Sequence, residues 1–179
     1  MAVPSSPYSA PRENASTAAS PLFLREGEVR RGVELLYFGY TRLTRAIDNG
    51  LGKQGLGRAH HRALYFIARQ PDLTVSDLLK ILAITKQSLG RVINDLLARG
   101  LVEARAGTAD RRQKLLRLTA AGEALETQLF DSLRESLAAA YGAAGQESVT
   151  GFWRVLEGLI PLDERDMVTS LQNENYKTR

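Results

Sequence analysis

The hydrophobic residues between positions 85 and 99 recur at the spacing of an α-helix with one buried side. They follow the i, i+3, i+4, i+7, i+8 pattern: Leu89, Val92, Ile93, Leu96 and Leu97. Thr85 is a suitable N-cap for this helix, and Gly100 is a suitable residue just beyond its end. The polar residues of the segment point the other way. The pattern therefore predicts a helix whose polar face is free to contact another molecule.

A shorter helix is predicted directly before it. Thr74 and Asp77 form a start that resembles a capping box, with aspartate in place of Glu or Gln. The segment ends near Ala83 and Ile84, so only about three residues separate the two helices. Two short helices joined in this way, the second with a polar and basic outer face, are typical of a helix-turn-helix.

Two strands are predicted after the second helix, over residues 101–107 and 114–118. The polar loop between them contains the adjacent residues Arg111 and Arg112. We interpret this basic hairpin as a wing. Its arginines could enter a minor groove, where narrow A·T-rich stretches concentrate negative potential.

Longer amphipathic helices are predicted on both sides of this module. Their approximate limits are 24–50, 58–70, 119–141 and 147–161, with Asn49-Gly50, Pro71, Gly142–Gly145 and Pro161 as stops or breaks. Phe152 and Trp153 in the last helix could cover the core of a monomer. A winged helix-turn-helix already has its own core, however, so long apolar helices at both ends favour a two-fold dimer interface.

These patterns predict a mainly α-helical fold with a small two-stranded antiparallel wing. Residues 1–21 hold four of the six prolines and almost no large apolar side chains, which predicts a disordered arm. We expect residues 22–55 and 119–179 to form a helical dimerisation region. Residues 56–118 are then the winged helix-turn-helix DNA-binding domain.

The charge distribution adds a candidate partner. Residues 76–117 hold nine Lys and Arg against four Asp and Glu, whereas residues 118–179 hold five against ten. The middle of the chain therefore has a net charge of +5 and the end of the chain −5, although the whole chain carries only +4. A basic module that contains a predicted helix-turn-helix indicates a polyanion, and specifically double-stranded DNA, as its partner.

Several other classes of protein are disfavoured. The chain has no cysteine, no paired carboxylates at catalytic spacing and only two histidines, His60 and His61. Neighbouring histidines on a helix point about 100° apart and cannot share a metal, so capping or partly buried imidazoles are favoured over a ligand role. Gly50–Gly55 spell a G-x-G-x-x-G motif, but a helix precedes them instead of the required strand. We expect neither enzyme activity nor a cofactor.

No apolar run approaches the length that spans a bilayer, and the N-terminus lacks the apolar region of a signal peptide. We therefore expect a cytoplasmic, bacterial protein that does not bind membranes. A winged helix that binds another protein is the main alternative, because this fold is reused. That alternative predicts a neutral outer face on the helix over 85–99, which instead carries Lys86, Gln87 and Arg91.

Several segments between about Leu56 and Leu125 stand in a specific order and spacing: Thr74–Leu82, Ile84–Ser88, Arg91, Leu96–Val102, Asp110–Arg112 and Leu118–Gly122. In these segments the sequence resembles the MarR family of bacterial winged helix-turn-helix regulators. Two positions depart from the family pattern: Ala83 stands where a turn glycine is frequent, and Gly90 lies inside the second helix. The resemblance implies a homodimeric regulator, usually a repressor, that binds a pseudo-palindromic operator. It also implies a pocket for a small molecule, often an aromatic acid, that releases the DNA.

On this basis we expect Gln87, Ser88 and Arg91 to face base edges in the major groove. Phosphates would be held by Thr74, Thr85 and Lys86. In the wing, Arg112 would enter the minor groove, Arg111 and Lys114 would add non-specific attraction, and Asp110 would orient the loop. The candidate effector residues are Tyr37, Tyr40, His61 and Tyr65. For these four residues, ordinary packing between helices is the alternative interpretation.

Overall fold

The computed structural model describes residues 25–107 and 110–173. The chain forms two compact units, residues 1–40 and 41–179. The predicted disordered arm, residues 1–21, lies outside the described residues. In the first unit, the described residues are helical and leave large apolar side chains exposed: Val29, Val33, Leu35, Leu36, Tyr37, Phe38 and Tyr40.

Seven helices and three strands make up the described part of the chain. Two of the helices, α3 and α4, form the predicted helix-turn-helix. The elements are α1 (Glu26–Lys53), α2 (Arg58–Arg69), β1 (Leu73–Thr74), α3 (Val75–Leu82), α4 (Lys86–Ala98), β2 (Val102–Ala106), β3 (Lys114–Leu118), α5 (Ala120–Ala144), α6 (Gln146–Leu159) and α7 (Leu162–Asn173).

The turn between α3 and α4 follows the predicted caps. The Thr74 side chain accepts a hydrogen bond from the backbone N–H of Asp77, and the Thr85 side chain accepts one from the N–H of Ser88. Ala83 ends α3 in the left-handed conformation, with φ of +49°. This conformation favours glycine, which explains why the resemblance led us to expect glycine there.

The wing hairpin is present, but the predicted two-stranded sheet is wrong in one respect. The sheet has three antiparallel strands in the order β1-β3-β2. Strands β2 and β3 pair from Val102↔Leu118 to Ala106↔Lys114. Strand β1 pairs with the other edge of β3, at Leu73↔Leu116 and Thr74↔Leu115. Strand β1 has only two residues, so it is too short to show a sequence alternation.

Two predicted helix limits need correction, and the predicted stop at Pro161 is confirmed. Helix α1 continues past Gly50 to Lys53. A Cβ at Gly50 would be 3.0 Å from a methyl group of Leu129, which explains why a glycine stands inside the helix. The glycine allows α1 and α5 to approach closely rather than ending the helix. Helix α5 likewise continues through Gly142 to Ala144, and the break is confined to Gly145, which has φ of +80°. Pro161 separates α6 from a further helix, α7.

One hydrophobic core joins the helix-turn-helix to parts of its neighbours. Leu64, Leu78, Leu96 and Leu116 come from α2, α3, α4 and β3, and each is fully buried. Burial of a leucine stabilises the folded state by about 1.5–3 kcal/mol. Ile47 and Leu51 of α1 and Leu125 and Leu129 of α5 belong to the same core, which extends past residues 56–118 on both sides.

Candidate nucleic-acid interface

The second helix of the helix-turn-helix presents a polar face anchored by an apolar one. Leu89, Val92, Ile93 and Leu96 of α4 are buried. The predicted contact residues are all exposed, with Gln87, Ser88 and Arg91 away from the buried side and Thr85 and Lys86 at the start of the helix. The structure therefore brings the α4 residues predicted from the sequence together on one open face, which we call the reading face.

The first turn of α4 is fixed by its own side chains and suits an anion. The Thr85 hydroxyl donates to the Ser88 oxygen at 2.9 Å, while the Ser88 N–H donates to the Thr85 oxygen at 3.2 Å. No acidic residue lies in this turn, and Lys86 is its first residue. The amide groups and dipole of a helix N-terminus attract anions. This end of α4 therefore suits an anionic group such as a phosphate.

Gly90 leaves open space beside the reading face. Among the described residues, no heavy atom other than those of its chain neighbours and its own helix backbone lies within 4 Å of where its Cβ would stand. Packing against the rest of the chain therefore does not require glycine there. Glycine lowers the helix propensity of α4 by about 1 kcal/mol relative to alanine, and the absence of a side chain leaves the α4 backbone accessible at this position.

The Thr74 hydroxyl is less free to bind another molecule than the exposed side chains of α4 are. Its hydroxyl donates to a carboxylate oxygen of Asp77 at 2.6 Å and accepts from the Asp77 N–H at 3.0 Å. A contact from the Thr74 hydroxyl to a phosphate would compete with this cap. The phosphate role expected of Thr74 remains a prediction.

The wing loop is organised by Asp110. One carboxylate oxygen of Asp110 accepts from the Arg112 N–H at 2.9 Å, and its carbonyl accepts from the Gln113 N–H at 3.0 Å. The loop closes at Gly107, whose N–H donates to the Gln113 carbonyl at 2.9 Å. Arg111, Arg112 and Lys114 are exposed. Asp110 thus shapes the loop that carries these basic side chains.

The two histidines have different structural roles, and His60 is the capping residue that the sequence favoured. The Gly57 N–H donates to His60 Nδ1 at 3.1 Å at the start of α2. His60 Nε2 lies 3.1 Å from a carboxylate oxygen of Asp95 on α4. This second contact was not predicted, because it joins residues that are far apart in the sequence.

Two of the candidate effector residues, His61 and Tyr65, lie one turn apart on α2. Their ring centroids are 6.3 Å apart, and Tyr65 is also 6.3 Å from Phe130 of α5. His61 is only 8% exposed, and its Nε2 has no hydrogen-bond partner in the described part of the chain. Tyr37 and Tyr40 belong to the first unit, where both are exposed. Their ligand role stays a prediction.

Burial lowers the pKa of His61 below its ordinary value of 6.5, and the charge of Arg62 lowers this pKa further. The unfolded chain therefore binds a proton at His61 more readily than the folded chain does. Above a pH of about 6.5, the contribution of neutral His61 to the free energy of unfolding is fully present. As pH falls from about 6.5 through the folded-state pKa of His61, the free energy of unfolding is expected to decrease. Urea unfolding between pH 8 and pH 5 measures the effect. A His61→Gln variant should show a shallower decrease, and equal slopes for the two proteins would contradict this assignment.

A cavity of about 310 Å³ lies between α2, β3 and the start of α5, and the sequence did not indicate it. Its polar lining includes Arg117, Glu123 and Glu126. Burial raises the pKa of Glu126, and the charge of Arg69 partly opposes this shift.

No group of three His, Cys, Asp or Glu in residues 25–107 and 110–173 could hold a metal ion. Within the same residues, no helix is long and apolar enough to cross a membrane.

The packing of α2, α3 and α4 against a small antiparallel sheet, with a basic hairpin after α4, defines a winged helix-turn-helix protein. The sequence profile described as the MarR family matches residues 54–113. The HTH-type transcriptional regulator PetP of Rhodobacter capsulatus is 45% identical over 139 residues, which cover 78% of this chain and 84% of PetP. The chain belongs to the MarR family, and it is a helix-turn-helix transcriptional regulator.

Solved structures with low sequence identity share the fold. A mutant MarR from E. coli complexed with operator DNA is 22% identical, with a TM-score of 0.61 over 79% of this chain and 100% of that chain. Bordetella bronchiseptica BpsR is 23% identical, with a TM-score of 0.58 over 72% of this chain and 98% of that chain. DNA binding by BpsR is regulated by 6-hydroxynicotinic acid.

Proposed function

We propose that this regulator is a homodimeric repressor that binds a pseudo-palindromic operator in double-stranded DNA and is released by a small aromatic or anionic ligand. The reading face of α4 carries the proposal. It presents Gln87, Ser88 and Arg91 in the open, next to a helix N-terminus that suits a phosphate. We place its action in the cytoplasm and assign it no enzyme activity.

Base recognition is assigned to α4. Its apolar side is fixed in the core, so the helix can enter a major groove as a rigid body with its exposed side chains forward. Arg91 can donate two hydrogen bonds to guanine O6 and N7. Lys86 and the first-turn amides would hold a phosphate and set the register of the helix.

The wing supplies a second contact. The loop shaped by Asp110 presents Arg111 and Arg112 away from the core, and Lys114 lies at the start of β3. Arg112 would enter the minor groove beside the sequence read by α4. Arg111 and Lys114 would add contacts to phosphates that do not depend on sequence.

Exposed apolar side chains support the dimer. In α1, seven large apolar residues between Val29 and Tyr40 are at least 40% exposed. In α6, Phe152 is 41%, Trp153 50% and Leu159 64% exposed, so these residues do not cover a monomer core. Large exposed apolar surfaces mark interaction sites, and a two-fold partner is the simplest occupant because it uses the same surface twice.

The effector site is proposed around His61 and Tyr65. A buried imidazole nitrogen without a partner and the nearby Tyr65 and Phe130 rings form a site that suits a planar molecule with a polar group. The regulation of BpsR by 6-hydroxynicotinic acid shows that a relative with this fold responds to a small aromatic acid. Release of DNA requires the ligand to bind the DNA-free conformation more tightly than the DNA-bound one.

The experiment that tests the proposal is selection of bound fragments from genomic DNA with the purified protein, followed by titration of the best fragment at several salt concentrations. We expect a two-fold symmetric footprint, a stoichiometry of two chains per site and an affinity that falls steeply with salt. Repeating the titration with a panel of aromatic acids tests the effector. A monomer that shows no salt-sensitive affinity for any fragment would exclude this function and favour a protein-binding winged helix.

A further inference from the structure

We propose that Arg99 and His60 hold the carboxylate of Asp95 away from Arg91 and so keep Arg91 free to bind DNA. Arg99 and His60 are therefore positioning residues, and Asp95 is the group that they control. The inference rests on the proposed function, because it assigns a role to residues that affect DNA binding mainly through Arg91.

The spacing of residues on α4 favours an ion pair between Arg91 and Asp95. Asp95 follows Arg91 by four residues, and opposite charges at that spacing on a helix form ion pairs. Such a pair would occupy the arginine of the reading face. In the part of the chain that the structure describes, however, Arg91 has no hydrogen-bond or ion-pair partner. Asp95 is engaged elsewhere.

Both oxygens of the Asp95 carboxylate have other partners. Oδ1 accepts from Arg99 Nε at 2.9 Å, and Oδ2 lies 3.1 Å from His60 Nε2. Because His60 Nδ1 accepts from the Gly57 N–H, Nε2 is the nitrogen that carries the proton of the neutral ring and donates it toward Asp95. The hydrogen bond and charge of Arg99 lower the pKa of Asp95, with a smaller contribution from His60. Asp95 is thus a carboxylate with two fixed donors.

The partners of Asp95 are anchored outside α4. Arg99 Nη1 donates to the Gln54 carbonyl at 2.7 Å, and Nη2 lies 3.5 Å from the Gly55 carbonyl. These carbonyls belong to the segment between α1 and α2, and His60 is in the first turn of α2. The position of the Asp95 carboxylate is therefore set by the elements that pack on α4 and not by α4 alone.

An Asp95 carboxylate without these donors would act against DNA binding in two ways. It would compete with guanine and phosphate oxygens for the Arg91 guanidinium. It would also place an uncompensated negative charge beside the reading face, where DNA phosphates would repel it. Both effects require the charge of Asp95, so removing that charge should cancel them.

The test is a double-mutant cycle on the full-length protein with a selected DNA site. Arg99→Ala is expected to weaken binding about threefold to tenfold at low salt, the size of effect expected when a partly exposed ion pair captures a contact residue. Arg99→Ala combined with Asp95→Asn is expected to bind within about twofold of the unaltered protein. In an Arg91→Ala background, Arg99→Ala should change affinity much less than it does in the unaltered protein.

A matched control separates this effect from loss of net charge. Lys80→Ala removes one positive charge from an exposed ion pair with Asp77 on α3, away from the reading face. It should leave affinity within about twofold, because isolated exposed pairs contribute little. An equal loss in Lys80→Ala, or no recovery when Asp95→Asn is added, would overturn the proposal. So would a loss from Arg99→Ala that stays the same size without Arg91.

The outcome also separates this inference from the proposed function. If Arg91→Ala itself leaves DNA binding unchanged, the placement of α4 on DNA is wrong and the role of Arg99 falls with it. If Arg91→Ala weakens binding but the cycle shows no coupling, the placement stands and only the control of Asp95 is rejected. Thermal unfolding of each variant identifies any loss that comes from the unfolding of α4 rather than from Arg91.

Discussion

Replacing Arg91 by alanine is expected to weaken binding to the operator by about 1–3 kcal/mol and to relax selectivity at one base pair in each half-site. Arg91 is exposed on α4 and, among the described residues, pairs with no other group, so its removal leaves the fold unchanged. The loss comes from a bidentate contact to guanine. Titrations against the operator and against variants substituted at each position measure both effects.

Lys114→Ala is the matched comparison for Arg91→Ala. Lys114 is exposed at the start of β3, where we assign it a phosphate contact. Its replacement should weaken binding to all sequences alike and flatten the dependence of log affinity on log salt by about one unit. If Arg91→Ala also weakens all sequences alike, Arg91 holds a phosphate and not a base. If Arg91→Ala has no effect on affinity, α4 does not lie in the groove as proposed.

Replacing Gly122 by alanine is expected to destabilise the fold by about 3 kcal/mol or more. A Cβ at this position would lie 2.0 Å from the Leu101 carbonyl oxygen and 3.0 Å from the carbonyl carbon. That carbonyl accepts a hydrogen bond from the Thr119 N–H at 3.2 Å, and Thr119 caps α5. The added methyl group therefore has to displace backbone. Urea unfolding of the purified variant measures the loss.

Gly142→Ala is the control, since it makes the same change in the same helix. In residues 25–107 and 110–173, no heavy atom lies within 4 Å of where a Cβ at Gly142 would stand, apart from its chain neighbours and its own helix backbone. Alanine has the higher helix propensity, so this variant should be more stable by up to about 1 kcal/mol. A Gly122→Ala protein as stable as Gly142→Ala would show that α5 does not start against the Leu101 carbonyl.

The helix-turn-helix was predictable from sequence because its signals are local. Thr74 and Thr85 are caps, and the apolar spacing of α4 identifies the side that is buried. The same spacing placed Gln87, Ser88 and Arg91 on one outer face. The prediction of a wing succeeded for a similar reason, since two short strands flank a polar loop that contains adjacent arginines.

The features that the sequence did not reveal depend on tertiary contact. Strand β1 exists only because Leu73 and Thr74 pair with residues of β3. Gly50 looked like a helix stop, although it serves the close packing of α1 on Leu129. His60 on α2 contacts Asp95 on α4, and the hydrophobic pattern of neither helix indicates that these two residues meet. In each case the structural role of a residue depends on its contact with a residue far away in the sequence.

The open space beside Gly90 has a consequence for how this regulator could acquire new target sites. A side chain added there would meet no other part of the described fold, and nearly every replacement would also improve helix propensity. If α4 lies in the major groove as proposed, the fit to DNA and not the stability of the protein decides which side chains are accepted at this position. Under that placement, position 90 is a place where DNA-binding preference can be re-engineered at little cost in the free energy of unfolding.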